Sequence, residues 1–205
     1  MAVVVIGGHS RNVGKTSLMA GLIAAMREMN WTAVKITQYG HGICSAHGGE
    51  CDCAVDQHSF AISEERDRSG KSDTSRFLLA GAAQSLWVRT RQGMLGEAMP
   101  VLRSRLAGAP NVIIESNSVL RFLRPDVYLT VLDPRNPDFK SSAQEFLDRA
   151  NAVIMHEDGH EQFKWQKVSL RPVSGKPIFY VRPPQYCTPE IVDFVGERLA
   201  AVRMQ

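Results

Sequence analysis

No apolar stretch of this 205-residue chain is long enough to span a bilayer, no run of five or more basic residues occurs, and no internal repeat or low-complexity tract is present. Without a spanning segment the chain is not expected in a membrane. The apolar start AVVVIGG has neither the basic region before it nor the cleavage site after it that marks a secretory signal, so a cytoplasmic location is expected. With 24 Lys and Arg against 21 Asp and Glu the net charge is only +3 and is spread along the chain, which leaves nucleic acid and anionic lipid as unexpected partners. Cysteine is scarce too. The chain has 4, too few for a disulfide-dense mini-protein, and three of them, Cys44, Cys51 and Cys53, crowd into one short stretch, so metal binding is considered before disulfides.

What is present is ordinary globular material. Hydrophobic residues at 44% and charged residues at 22% exclude wholesale disorder. The length is about 1.4 times that of a usual domain, which predicts one α/β domain over residues 1–205 with an embellishment. Short apolar runs at Val3–Ile6, Trp31–Ile36, Gln84–Thr90, Asn111–Glu115, Asp126–Leu132, Ala152–Met155 and Pro177–Val181 alternate with helical stretches. The alternation predicts a three-layer, doubly wound, mostly parallel sheet of about seven strands, with ligands at the carboxyl ends of the strands. Residues 37–72 are too long for an ordinary connection and are expected to be a functional Cys/His-rich loop insertion. A helix is expected from FKSSAQEFLDRA with Asp138 as its cap, and a last helix opens at Thr188-Pro189-Glu190.

The strongest local signal follows the first strand. Gly8-x5-Gly14-Lys15-Thr16 is a phosphate loop one residue longer than the usual spacing, whose first glycine would fall at His9. In such a loop the backbone N–H groups converge on phosphate oxygens, a helix N-terminus adds its positive end, the lysine reaches the β- and γ-phosphates, and the threonine hydroxyl faces Mg²⁺. The expected nucleotide contacts are Gly8, Arg11, Asn12, Val13, Gly14, Lys15, Thr16 and Ser17. Glu115, at the end of a buried strand, and Asp73 are the carboxylate candidates beside Mg²⁺, with Lys15, Thr16, Glu115 and Asp73 forming the expected catalytic set and Thr16 and Glu115 the expected Mg²⁺ ligands. The alternative for Glu115 is a strand-end cap, and for Asp73 a helix cap.

The longer loop spacing is similar to that of dethiobiotin synthetase and the cobyrinic acid amide synthases, in a branch with many dimeric nucleoside triphosphatases. More of the chain, about residues 2–120, resembles the molybdopterin-guanine dinucleotide biosynthesis protein B (MobB) family: the phosphate loop, VKITQYGHG, SGKSDTSRFLLAGAAQSLWV, and NVIIESNSVL. Glu115-Ser116-Asn117 stands where that family has an acidic residue, glycine and phenylalanine. The resemblance implies a homodimeric GTP-binding accessory factor with weak hydrolysis, acting with a molybdopterin-cofactor biosynthesis enzyme or a molybdoenzyme. It favours GTP over ATP, although His156-Glu157-Asp158-Gly159 keeps a guanine-reading aspartate out of register.

The second constellation is His41-x2-Cys44-x2-His47-x3-Cys51-x-Cys53-x4-His58. Soft thiolates and imidazoles in this density suit tetrahedral Zn²⁺, with Cys44, Cys51, Cys53 and His58 as the preferred ligands. A lid with unliganded thiols, or an iron–sulfur cluster completed by Cys187, stands as the alternative. Three function classes follow: an accessory GTPase of molybdenum-cofactor maturation, a metallochaperone-type nucleoside triphosphatase whose cysteine loop handles the metal, and an ATP-dependent ligase or kinase like dethiobiotin synthetase.

Overall fold

A computed structural model describes residues 1–39, 59–157, 165 and 168–203. Its strands are β1 (Ala2–Gly8), β2 (Trp31–Tyr39), β3 (Phe60–Glu64), β4 (Gln84–Arg91), β5 (Asn111–Glu115), β6 (Val127–Leu132), β7 (Ala152–His156) and β8 (Ile178–Val181). The helices among the described residues are α1 (Lys15–Ala25), α2 (Asp73–Ala80), α3 (Leu95–Leu106), α4 (Ser141–Glu145) and α5 (Pro189–Arg203). All strands join one sheet in the order β3-β4-β2-β5-β1-β6-β7-β8. Every pair is parallel except β3 with β4.

Alternation within each strand feeds two cores. From β1, Val4 and Ile6 point to one face, where they meet Leu18, Leu22 and Ile23 of α1 and Ile191, Val195 and Leu199 of α5. Val5 points to the other, with Ala98, Met99 and Leu102 of α3 and with Phe146 and Leu147. Both faces of the sheet are thus covered, and the architecture is the expected three-layer doubly wound one. No helix among the described residues is long and apolar enough to cross a membrane.

Three expectations need correction. The sheet has eight strands, not about seven, because Phe60–Glu64 adds an antiparallel edge to β4. The stretch 37–72 is accordingly not all loop: β2 runs on to Tyr39, β3 lies within it, and residues 40–58, with Cys44, Cys51, Cys53 and His58, lie outside the described residues. Asp138 caps no helix. Lys140 precedes the short α4, and the Asp138 carboxylate instead accepts from Ser10 Oγ at 2.6 Å, so the loop after β6 is tied to the phosphate loop.

Candidate functional site

The phosphate loop lies between the end of β1 and the start of α1, at the carboxyl edge of the sheet where β1 is flanked by β5 and β6. Gly14 precedes α1 with φ +90°, and a Cβ there would fall 1.9 Å from a ring carbon of Tyr186. Only glycine allows both the left-handed backbone and the close aromatic ring. Lys15 Nζ donates to Ser10 O at 2.6 Å, closing over the loop. Burial pulls its pKa down to about 8, against the opposing field of Glu115 and with help from Lys140 and Lys35.

Side chains far away in sequence hold the loop in shape. His9, fully buried, donates from Nδ1 to Asp138 O at 2.7 Å and accepts the Asp133 N–H at Nε2 at 3.0 Å, a pattern that only the neutral ring satisfies. Burial keeps its pKa below the usual imidazole value, outweighing the nearby acceptors. His156 Nε2 donates to Val13 O at 3.0 Å, and burial lowers its pKa as well, with Asp133 opposing. Asn117 grips Gly8 by both edges, accepting the Gly8 N–H at 2.9 Å and donating to Gly8 O at 2.8 Å.

Beside Lys15 stands a four-residue polar centre. Thr16 Oγ1 donates to Glu115 Oε2 at 2.7 Å. Lys35 Nζ lies 3.1 Å from Glu115 Oε1 and 2.5 Å from Asp73 Oδ2. Parallel register pairs Lys35 of β2 directly with Glu115 of β5, so the backbone puts the two together. Burial alone would lower the Lys35 pKa, but the two carboxylates raise it. Asp73 opens α2 without capping it: Ser72 is the cap, in a reciprocal pairing with Ser75, which leaves the Asp73 carboxylate to Lys35. Arg76, one turn on, donates to Ser17 Oγ at 3.0 Å and so ties α2 to α1.

The centre opens into a cleft of about 1030 Å³ lined on the loop side by Gly8, Arg11, Asn12, Gly14, Lys15, Thr16 and Ser17. Lys140, Arg121, Gln38, Gln92 and Tyr186 line other parts of it. Lys15, Thr16, Ser17, Glu115 and Asp73 are thus brought together as expected from sequence. The Val13 side chain is buried in the core against Gly8, and its carbonyl accepts from His156. Lys35, Lys140, Asn117 and Tyr186 line the cleft as well, beyond the contacts expected from sequence. Lys35 carried a signal, as the lysine of VKITQYGHG at the end of a strand, and Asn117 stood two residues beyond Glu115 in NVIIESNSVL.

The fold is that of the P-loop nucleoside triphosphatases. Family models and curated proteins give no match to the chain. Among solved structures it is similar to HypB from Helicobacter pylori in complex with nickel, at TM-score 0.47 and 15% identity over 98% of this chain and 86% of that one. It is similar also to Bacillus subtilis MobB, at TM-score 0.42 and 16% identity over 97% and 98%. LpxK from Aquifex aeolicus in complex with ATP follows at TM-score 0.41 and 13% identity over 88% of this chain and 53% of that one. Likeness at this level concerns the course of the chain and carries nothing about ligands.

The metal candidates divide. Hard oxygens of Thr16, Glu115 and Asp73 fit Mg²⁺ beside a phosphate. Among the described residues no group of three or more His, Cys, Asp or Glu forms a cage for a metal ion, and the Zn²⁺ candidates lie outside those residues. Cys187 packs against α1, where a Cβ on Gly21 would meet its Cβ at 2.4 Å, and burial pushes its thiol up to about 11. It is a packing residue there, not a thiolate poised for a cluster.

Proposed function

We propose that the cleft binds a Mg²⁺-bound purine nucleoside triphosphate, GTP in preference to ATP, and hydrolyses it slowly. The observation that carries this is the convergence of Lys15, Thr16, Glu115 and Lys35 on one loop at a strand-to-helix junction. Lys15 and the loop N–H groups take the phosphates, and Thr16 and Glu115 hold the metal, which would neutralise charge on the phosphate oxygens. Slow turnover is supported by the lining of the cleft, where Asp73 and Glu115 are the carboxylates among the described residues and both belong to the metal's oxygen set, which leaves no other carboxylate there as a base. Guanine preference and a role as a homodimeric accessory factor in molybdopterin guanine dinucleotide biosynthesis or delivery rest on the sequence resemblance. Calorimetric titration of the purified protein with Mg-GTP and Mg-ATP tests the binding, and added protein raising the yield of a reconstituted guanylylation of molybdopterin tests the role. No heat of binding with either nucleotide would reject the first, and no change in yield the second.

A metallochaperone-type function with Zn²⁺ held by Cys44, Cys51, Cys53 and His58 is supported by one observation. The described residues on either side of that segment, Tyr39 and Ser59, accept backbone hydrogen bonds from Gln92 and Arg91, both at 2.9 Å, and of these Tyr39 and Gln92 line the cleft. A metal bound between them would be attached to the nucleotide site. Elemental analysis of protein purified without chelator tests it: about one Zn²⁺ per chain is expected, and a content near zero with freely titratable thiols rejects it.

A further inference from the structure

The oxygens that suit Mg²⁺ already face a cation. Lys35 Nζ lies 2.5 Å from Asp73 Oδ2, 3.1 Å from Glu115 Oε1 and 3.5 Å from Thr16 Oγ1, and those atoms come from the starts of α2 and α1 and the end of β5. The Thr16 proton points to Glu115 Oε2, so the hydroxyl lone pairs face the ammonium. The arrangement is built, not incidental. Register fixes Lys35 against Glu115, the Ser72 cap releases Asp73, and Lys35 and Glu115 keep only 19% and 8% of their side chains exposed.

We propose that Lys35 competes with Mg²⁺ for the oxygens of Thr16, Glu115 and Asp73, so that the metal is admitted only together with the nucleotide. Two carboxylates and one ammonium leave a single negative charge, a poor host for a dication that would sit against a second positive group at short range. Lys35 lines the same cleft as Lys15 and Gly14, so an incoming phosphate gives the ammonium a second anionic partner. Once it turns toward phosphate, the three oxygens are released to the metal that accompanies the nucleotide. Lys35 is therefore a positioning residue whose charge keeps the empty site metal-free. This rests on the nucleotide reading above.

The test uses Mn²⁺ as the probe metal, because it accepts the same oxygen ligands and its free ion is read by electron paramagnetic resonance. In the full chain without nucleotide, Lys35→Gln and Lys35→Met, each checked for fold by circular dichroism, are expected to bind Mn²⁺ on the order of tenfold or more tighter than wild type. A strut that merely holds the carboxylates in place predicts the opposite sign, weaker binding in both variants. Affinity unchanged or weakened in the neutral variants overturns the proposal. So does wild type binding Mn²⁺ without nucleotide as tightly as with it, a result that needs no variant to fold. Wild type that takes up no Mn²⁺ even with GTP or ATP present overturns instead the nucleotide reading on which the proposal rests.

Discussion

Lys15 is a buried cation that forms no ion pair with a carboxylate among the described residues: its ammonium donates to the Ser10 carbonyl, and burial brings its pKa to about 8. A phosphate would supply the missing negative charge and raise that value. Binding should therefore take up a proton above pH 8, and affinity should be full below about pH 8 and fall as pH rises through it. Calorimetry at pH 8.5 in two buffers of different ionisation enthalpy checks this, with proton uptake expected and a buffer-independent heat contradicting it. Lys140 makes a second prediction at this scale. It lines the cleft, its backbone N–H donates to His9 O at 2.8 Å, and burial together with the neighbouring Arg11 lowers its pKa. Two cations this close want an anion. Lys140→Met is expected to weaken triphosphate binding by roughly tenfold while diphosphate binding changes less, as read by competition with a fluorescent nucleotide.

At the scale of elements, the loop is hung from its neighbours. A Cβ on Gly7 would fall 2.3 Å from Asn117 Oδ1 and 2.7 Å from Tyr128 Oη, so Gly7→Ala must push Asn117 off Gly8 or shift β1. Asn117→Ala removes two hydrogen bonds and is expected to cost about 1–3 kcal/mol in urea unfolding, with weaker nucleotide binding to match. His9 and His156 add a pH dependence. Both are held neutral by burial, so below the ordinary imidazole value the unfolded chain takes up protons that the folded chain refuses. The imidazole contribution should be level above pH ~6.5 and lower the stability as pH falls below it, so the urea midpoint at pH 5.5 should lie under that at pH 7.5, by less in His156→Gln. Equal midpoints at the two pH values would contradict it. The loop itself, with Lys15 and Thr16, was legible because strand, glycines, lysine, hydroxyl and helix are consecutive. Its supports were not, since Asn117 and Asp133 reach it across separations of 109 and 124 residues. The β3 edge escaped notice for a related reason: its five residues directly follow the Cys/His segment, and only the pairing with β4 makes them a strand.

For the whole molecule, the strand order brings the ends of β1, β2 and β5 side by side, and this neighbourhood assembles the site. Alternation of strands and helices announced the layers, and Glu115 could be placed at a strand end, but the insertion of β5 between β1 and β2 is what sets Lys35 against it. Exposed Ile178 and Tyr180 on the edge strand β8 leave an apolar margin compatible with pairing of two copies, and a net charge of +3 offers little repulsion. Light scattering at micromolar concentration is expected to give a dimer, and a 22.7 kDa species with and without nucleotide would count against it. The central claim is that this loop binds nucleotide phosphate through Lys15. Parallel calorimetric titrations of wild type and Lys15→Ala with Mg-GTP and Mg-ATP test it most directly. One saturable site in wild type, with binding lost in a variant whose circular dichroism and melting remain native, is the result predicted; equal affinity in the two proteins would contradict it.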